Sequence, residues 1–348
     1  MSAPIPPRGR ATMKDVAALA GAGVKTVSRV INNEPNVTPA MAERVWDAVR
    51  ELDYQVDLQA GSLRRADGRT RTLGLLVGSV DNPFAGVIHR TVEDAAAERG
   101  VAVFAASMDD DARRESDAVR TFLQRRVDGL ILTTAVSHPE YLGLIRDRGV
   151  PVVYVDREPE ESDLDTVASA NREGAEIGTA HLIAHGHRRI ALLADRLELV
   201  TASQRRDGYL DALAAAGIPV AEDIIVTELA DAEAAATALA VLLAQPDPPT
   251  AVFSAQNIIT IGALHALRGA GLSQSVALVG FDDLPLADLV EPGVTVVAQD
   301  PNRIGMLAAE RIFARLEGDG SAPIRMRVPT TLIPRGTGEI APHGRSLP

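Results

Sequence analysis

The 348-residue chain contains no cysteine, which excludes disulfides, thiol nucleophiles and thiolate zinc sites in any compartment. It also lacks any apolar run of about 18 residues, the minimum for a membrane-spanning helix. The first ten residues are rich in proline and carry Arg8 and Arg10, but have no apolar stretch of the kind a secretion signal needs. We read them as a disordered tail on a cytoplasmic protein. Positive charge is scarce: 35 Lys and Arg stand against 47 Asp and Glu, a net charge of −12. Three catalytic signatures of α/β folds are missing as well. No G-x-G-x-x-G follows the first apolar strand, and there is neither a P-loop nor a G-x-S-x-G elbow.

What is present fits a globular protein, with 46% hydrophobic and 24% charged residues and length enough for two or three compact units. The charge is unevenly placed. Residues 1–69 hold ten basic and eight acidic side chains, leaving 25 and 39 for the rest, a net of −14. Within residues 1–32, Arg8, Arg10, Lys14, Lys25 and Arg29 face a single acid, Asp15. A local basic region on an acidic body can meet a phosphate backbone while the body is repelled from it.

Residues 12–53 read as three short helices. Thr12 and Asp15 form a T-x-x-D start, and Gly21-Ala-Gly23 breaks the first helix, with Gly23 available as the next cap. The second helix runs from about residue 24 to 32. Its periodicity puts Val27, Val30 and Ile31 on one side and Lys25, Ser28 and Arg29 on the other. The third starts at Thr38-Pro39 and turns Val45, Val49 and Leu52 inward. Two short helices around a glycine turn, backed by a third, make a helix-turn-helix. Its second helix fits the major groove, with cations for base edges and hydroxyls for phosphates. The same pattern also describes an amphipathic surface helix with solvated cations. A linker follows, interrupted by Gly61.

From Arg71 onward apolar runs alternate with amphipathic helices. Strands are expected at 73–77, 101–106, 129–133 and 152–155, then at 190–194, 224–228, 251–254 and 276–280. Helices are expected at 84–99, 113–126, 139–148, 172–184, 203–216, 232–244 and 258–271. Twofold β-α-β alternation predicts two parallel doubly wound sheets, with a cleft at the carboxyl ends of their strands.

At this point the residues match a known pattern. Lys14-Asp-Val-Ala-Ala-Leu-Ala-Gly followed by Thr26-Val-Ser-Arg-Val-Ile-Asn32 resembles the opening of lac-repressor-like (LacI/GalR) regulators. The resemblance continues through Leu52-Asp-Tyr54, Ala60-Gly-Ser-Leu63, Arg126-Val-Asp-Gly-Leu130, His185-Gly-His187, Gly280-Phe-Asp-Asp283 and Gln299. It implies an N-terminal all-α helix-turn-helix domain plus an α/β periplasmic-binding-protein-like sensor domain of two doubly wound parallel-sheet lobes. The implied layout is a tail at 1–11, the DNA-binding domain at 12–55, a hinge at 56–69 and a tail at 341–348. The effector-binding domain takes 70–340. Its lobe one comprises about 70–168 with 300–325, and its lobe two about 169–299 with 326–340. The implied function is a sequence-specific repressor whose operator affinity a small polar effector controls, with no catalytic residue, metal or cofactor. Its partners would be a pseudo-palindromic DNA operator, the effector and a second copy in a homodimer, with no membrane involved.

The resemblance also implies residue roles. Val24, Lys25 and Arg29 would read bases, with Thr26, Ser28 and Asn32 on or near phosphates. The linker would fold as a hinge helix and wedge Leu63 into the minor groove. The effector would meet Asn82, Phe84, Asp156, Arg157, Thr201, Arg205, Gln256, Asp282 and Gln299. These suit a polyhydroxylated ligand: a carboxylate accepts from two hydroxyls, an arginine donates two parallel bonds, and a phenyl ring covers an apolar face. A sugar or sugar derivative is the default, with a nucleoside or other metabolite open. Against this stands a plain Arg205–Asp282 pair across the cleft. Departures from the family pattern include Gly23 for a serine cap, Val56-Asp57 for Pro-Asn, Gly61 for arginine, Ala170-Asn171 for Asp-Asn and Gln256-Asn257 for Asn-Asp.

Two clusters invite other readings. His181, His185 and His187 suggest a metal, but no third ligand has clear spacing and the H-x-x-x-H lacks a glutamate base. Asp109-Asp-Asp111 suggests a cation site, but reads better as a solvated loop. An enzyme or an exported solute-binding protein would leave residues 12–53 without a use.

Overall fold

The computed structural model describes residues 11–31, 35–54, 69–160 and 163–342. The chain divides into two compact units, Met1–Thr70 and Arg71–Pro348. Among its described residues the first holds three helices, α1 (Met13–Leu19), α2 (Val24–Ile31) and α3 (Pro39–Glu51). Local chemistry sets these boundaries. The Thr12 backbone N–H donates to the Asp15 carboxylate at 2.8 Å, and the Asp15 N–H donates back to Thr12 Oγ1 at 3.4 Å, a reciprocal cap. The Thr12 hydroxyl, donating to the same carboxylate at 2.6 Å, and then the Thr12 N–H hold the Asp15 carboxyl below its ordinary pKa. Helix α1 stops at Gly21, whose φ of +61° suits a residue without a Cβ. The Gly23 carbonyl accepts the first α2 bonds, from Thr26 and Val27 at 2.8 and 3.0 Å. Inside, Val16, Ala20, Val27, Val30, Val45 and Ala48 form the small core that fixes α2 against its neighbours.

The second unit contains two six-stranded sheets. The first has the order β11-β5-β4-β3-β1-β2, from β1 (Thr72–Val77), β2 (Ala102–Ser107), β3 (Gly129–Leu132), β4 (Val152–Val155), β5 (Asp165–Ser169) and β11 (Arg325–Val328). The second has the order β12-β10-β9-β8-β6-β7. Its strands are β6 (Ile190–Leu193), β7 (Ile225–Val226), β8 (Ala251–Ser254), β9 (Ala277–Phe281), β10 (Thr295–Ala298) and β12 (Thr331–Ile333). All pairings are parallel except β10 with β12. The two expected parallel sheets are thus present, with one antiparallel pairing at an edge, where β12 returns beside β10 in the opposite sense.

The expected eight strands leave out β5, β10, β11 and β12. Strand β11 also lies beyond the expected return to lobe two at residue 326, because Arg325 to Val328 pair with Thr166 to Ser169. The chain passes between lobes three times: after β5, after β10, and between β11 and β12. The helices are α4 (Pro83–Ala97), α5 (Ala112–Gln124), α6 (Leu142–Asp147), α7 (Asn171–Ala184), α8 (Val200–Ala215), α9 (Ala232–Leu243), α10 (Asn257–Gly269) and α11 (Pro301–Leu316). They cover the sheet faces over four apolar clusters. In each lobe the strand order reverses beside the first strand, between β1 and β3 and between β6 and β8. Such switch points open a crevice at the carboxyl ends of the strands.

Candidate functional site

Helix α2 buries Val27 and Val30 while Val24, Lys25 and Arg29 are exposed and Thr26 and Ser28 half-buried. The expected reading face is thus on the surface, carried by a helix whose back is locked into the core. Asn32 and Leu63, expected to touch DNA, lie outside the described residues, as do residues 56–68 of the expected hinge.

In the second unit, the nine residues expected at the effector site all border one cavity of about 30 Å³. Asn82, Phe84, Asp156, Arg157 and Gln256 also line an adjoining cavity of about 450 Å³, a size that suits a small ligand. These side chains come from both lobes, some from strand ends and others, Phe84, Thr201 and Arg205, from helices α4 and α8. Asn82 caps α4 by accepting the Phe84 N–H at 3.1 Å. Asp156 and Asp282 directly follow β4 and β9, and both hold left-handed backbone, with φ of +64° and +73°. Aspartate tolerates that conformation better than most side chains, so the sharp turn and the polar group are met by one residue.

Electrostatics tie the cleft together. Arg205 lies buried on α8, donating from Nε to Asn171 Oδ1 and from Nη1 to the Ala255 carbonyl, each at 2.8 Å. Its guanidinium sits 3.9 Å from the Phe281 ring centre and 3.6 Å from Asp282. Arg205 and Asp282 belong to the same lobe, so their pairing does not span the cleft, and Arg205 has further partners. Burial lowers the Arg205 pKa, against the pull of Asp282 and Asp156. Burial raises the Asp156 carboxyl, against Arg157 and Arg205. Gln299 Nε2 donates to Asp282, and Gln256 Nε2 donates to Asp195 at 3.2 Å. Arg157 Nη1 donates to Asp110. Arg157 Nε, 3.7 Å from Asp156 Oδ2, and Gln256 Oε1 and Gln299 Oε1 are buried without a hydrogen-bond partner, in a region where such atoms are ordinarily satisfied.

Residues 70–335 match the family model for periplasmic binding proteins and the sugar binding domain of the LacI family. Residues 12–57 match that for bacterial regulatory proteins of the lacI family. The ribose operon repressor of Escherichia coli K12 is 33% identical over 330 residues, 94% of this chain and 99% of that protein. The chain belongs to the LacI family. As a LacI-family protein it is a DNA-binding transcriptional regulator rather than an enzyme. Among solved structures, the transcriptional regulator CelR in complex with cellobiose is 32% identical, with 94% and 100% of the two chains covered and a TM-score of 0.69. The lac repressor dimer bound to operator and the anti-inducer ONPF is 25% identical, covering 95% and 99%, with a TM-score of 0.84.

Sequence reasoning missed several cleft residues of this LacI-family chain. Asp195 and Arg196 follow β6 and line the larger cavity, and Asn171 positions Arg205. Asn257 Nδ2 donates to Asn82 Oδ1 at 2.9 Å, from one lobe to the other. In the triple aspartate, read as a solvated loop, Asp109 and Asp111 are exposed and Asp110 half-buried, and each carboxylate has a partner. Asp109 pairs with Arg114, Asp110 with Arg157 and Arg196, and Asp111 caps α5. The histidines are likewise engaged: His181 Nε2 meets Glu339 at 2.5 Å, His185 Nδ1 the His181 carbonyl at 2.8 Å, and His187 both Thr250 and Ile340. Among the described residues no three His, Asp or Glu groups are placed to hold a metal ion, and no helix is long and apolar enough to cross a membrane.

Proposed function

We propose that this regulator represses transcription as a homodimer on a pseudo-palindromic operator, and that an unphosphorylated sugar, a pentose such as ribose, sets its operator affinity. The proposed layout keeps a tail at 1–11, the DNA-binding domain at 12–55 and the hinge at 56–69. The effector-binding domain then follows, with lobe one ending its last visit at β11. In α2, Val24, Lys25 and Arg29 read bases while Thr26, Ser28 and Asn32 meet phosphates, and Leu63 wedges the operator centre. Asn82, Phe84, Asp156, Arg157, Thr201, Arg205, Gln256, Asp282 and Gln299 hold the sugar. The protein works in the cytoplasm, where it meets the nucleoid.

The observation that carries the ligand reading is the set of buried atoms in the cleft that make no hydrogen bond. Arg157 Nε offers a donor, Gln256 Oε1 and Gln299 Oε1 offer acceptors, and a hydroxyl satisfies either kind. Phe84 borders both cavities, as suits an apolar ring face. Phosphate is disfavoured, because Asp156, Asp195 and Asp282 share the smaller cavity with Arg157 and Arg205, and the arginines are already paired. Ribose is favoured by the name of the 33% identical relative. The dimer is favoured by exposed Leu286, Leu289 and Val290, and by edge strand β2, which is exposed and uncharged.

Titration with D-ribose and with ribose 5-phosphate, read by calorimetry and by operator gel shift, tests this reading. We expect D-ribose alone to bind and to change operator occupancy; binding of the phosphate alone would reverse the assignment. In a parallel test, Arg29→Ala should weaken operator binding at least tenfold and relax base preference at one position of each half-site, since a bidentate base contact is worth about 1–3 kcal/mol. Selection of bound sequences reads both effects, and an unchanged motif would remove α2 from the reading face.

A further inference from the structure

We infer that Asp110 and Arg196 form a charged latch between the two lobes, and that Asp110 is a positioning residue for the sugar cleft. The inference rests on the effector reading above only for the identity of the ligand. Asp110 stands in the turn after β2, in lobe one. Its φ of +55° follows a φ of +49° at Asp109, and two consecutive non-glycine residues in the left-handed region are uncommon. The turn is held in that shape from behind. The Asp109 N–H donates to the Gly78 carbonyl at 2.6 Å, Ser107 Oγ donates to the Asp109 carboxylate at 2.9 Å, and Arg114 pairs with it at 2.5 Å. A conformation so over-determined fixes where the next carboxylate points.

That carboxylate makes two different connections. Oδ1 accepts from Arg157 Nη1, within lobe one and beside Asp156. Oδ2 faces Arg196 Nη2 at 3.2 Å, from the loop after β6 in lobe two. Arg157 and Asp110 are 10% and 20% exposed at the side chain and Arg196 35%, so this pair is less screened than one at the open surface. Arg157 Nε and Arg196 Nε each lie 3.7 Å from a carboxylate of their own lobe, Asp156 and Asp195, without hydrogen-bonding to it, so Asp110 is the anion the two arginines share across the lobes. The Asp110–Arg157 contact exists whatever the lobes do, whereas Asp110–Arg196 exists only while they are together. Its free energy therefore enters the closing equilibrium, and apparent ligand affinity scales with the closed fraction. Asp110 further holds the Arg157 guanidinium in its cleft position, which links ligand contact to closure.

The absence of cysteine allows a clean measurement on the full chain. Dyes at Arg120→Cys and Glu233→Cys, both exposed and in opposite lobes, report interlobe distance by energy transfer. We expect Arg196→Ala to lengthen the distance without added ligand and to weaken D-ribose binding about tenfold. Asp110→Asn should weaken binding further, because Arg157 also loses its anion, and Arg196→Ala should add nothing in that background. An unchanged distance in Arg196→Ala would overturn the latch, as would an equal effect of Arg196→Ala with and without the Asp110 carboxylate. If D-ribose fails to bind the parent protein while Arg196→Ala still lengthens the distance, the latch stands and the sugar assignment falls.

Discussion

At the scale of single residues, Arg205 shows how a buried cation becomes a tool. Burial works against its charge, and the chain answers with Asn171, the Ala255 carbonyl, Asp282 and the face of Phe281. The planar fork can make these contacts in fixed directions and keep donors over for a ligand. Lysine keeps the charge but not the fork. Arg205→Lys should therefore lower sugar affinity about 10- to 100-fold, since one or two cleft acceptors are left unpaired at about 1–3 kcal/mol each. Operator binding by the sugar-free variant should match the parent. A calorimetric titration beside a gel shift separates the two, and parental sugar affinity would remove Arg205 from the site. Asp156, Arg205 and Asp282 were legible through the family resemblance; Asp156 and Asp282 stand directly after strands, whereas Arg205 lies in the second turn of α8, where periodicity alone does not single it out. Asp110 was not, because three acids in a row look alike in sequence. Only the left-handed turn gives each a different task.

Elements tell a similar story about what periodicity can and cannot reveal. Strands β1, β3, β6 and β8 are continuous apolar runs, buried on both faces as parallel strands are, and their positions followed from that. Strand β5 is just as buried, yet reads Asp-Thr-Val-Ala-Ser. Its Asp165 is satisfied by Arg311 and Arg315 of α11 and by the Ile324 N–H, partners about 150 residues away that no local window contains. Strands β11 and β12 are short, partly exposed edges and carry little apolar signal. Close packing leaves another trace, in the glycines. A Cβ at Gly208 of α8 would lie 2.0 Å from the Arg172 carbonyl oxygen of α7, so the two helices meet backbone to backbone. Gly208→Ala must push them apart and should cost about 3 kcal/mol, on the order of 6–12 °C in Tm, as read by thermal unfolding. A parental Tm would show that the helices can separate without loss.

Element joints also set a pH response. His187 is fully buried between α7 and β6, close to Thr250 Oγ1, and its Nε2 donates to the Ile340 carbonyl at 2.7 Å, tying the C-terminal segment to lobe two. Burial lowers its pKa below the ordinary histidine value, helped by the neighbouring His185. The unfolded chain thus binds this proton more readily than the folded one. The stabilisation is complete above about pH 6.5 and is lost as pH falls through the window below it. His187→Gln keeps an amide donor for Ile340 but cannot titrate. It should be less stable than the parent at pH 7.5, with the gap narrowing toward pH 5.5. Carboxylates held low do not interfere there, since Asp319, kept at about 2 chiefly by the Ser321 N–H, acts below about pH 4. A gap independent of pH, measured by thermal unfolding in matched buffers, would show that His187 does not titrate on unfolding.

For the whole molecule, charge and exposed apolar surface assign different jobs to different faces. The body carries the excess of acid, and the cations suited to DNA cluster in the first 32 residues. On lobe two, the segment after β9 presents Leu286 at 65%, Leu289 at 74% and Val290 at 45% exposure. Beside it a groove of about 650 Å³ is lined by Ile261, Leu264, Leu286 and Val290 among others. Exposed leucines next to an apolar groove have the shape that a self-complementary contact needs. A second copy related by a twofold axis can place its protrusion in the first copy's groove and receive one in return. That symmetry is also what a pseudo-palindromic operator requires, because each half-site then meets an identical α2. Leu289→Asp tests the link. The side chain is largely in solvent, so the fold should keep its Tm, whereas a carboxylate against an apolar partner resists burial. Sedimentation should show monomers at concentrations where the parent is dimeric, and operator affinity should fall by at least about 100-fold, since each monomer engages one half-site without the gain from linkage to a second. Sugar binding, confined to one chain's cleft, should be retained. A dimeric Leu289→Asp protein with parental operator affinity would move the subunit contact elsewhere, with edge strand β2 the next face to substitute.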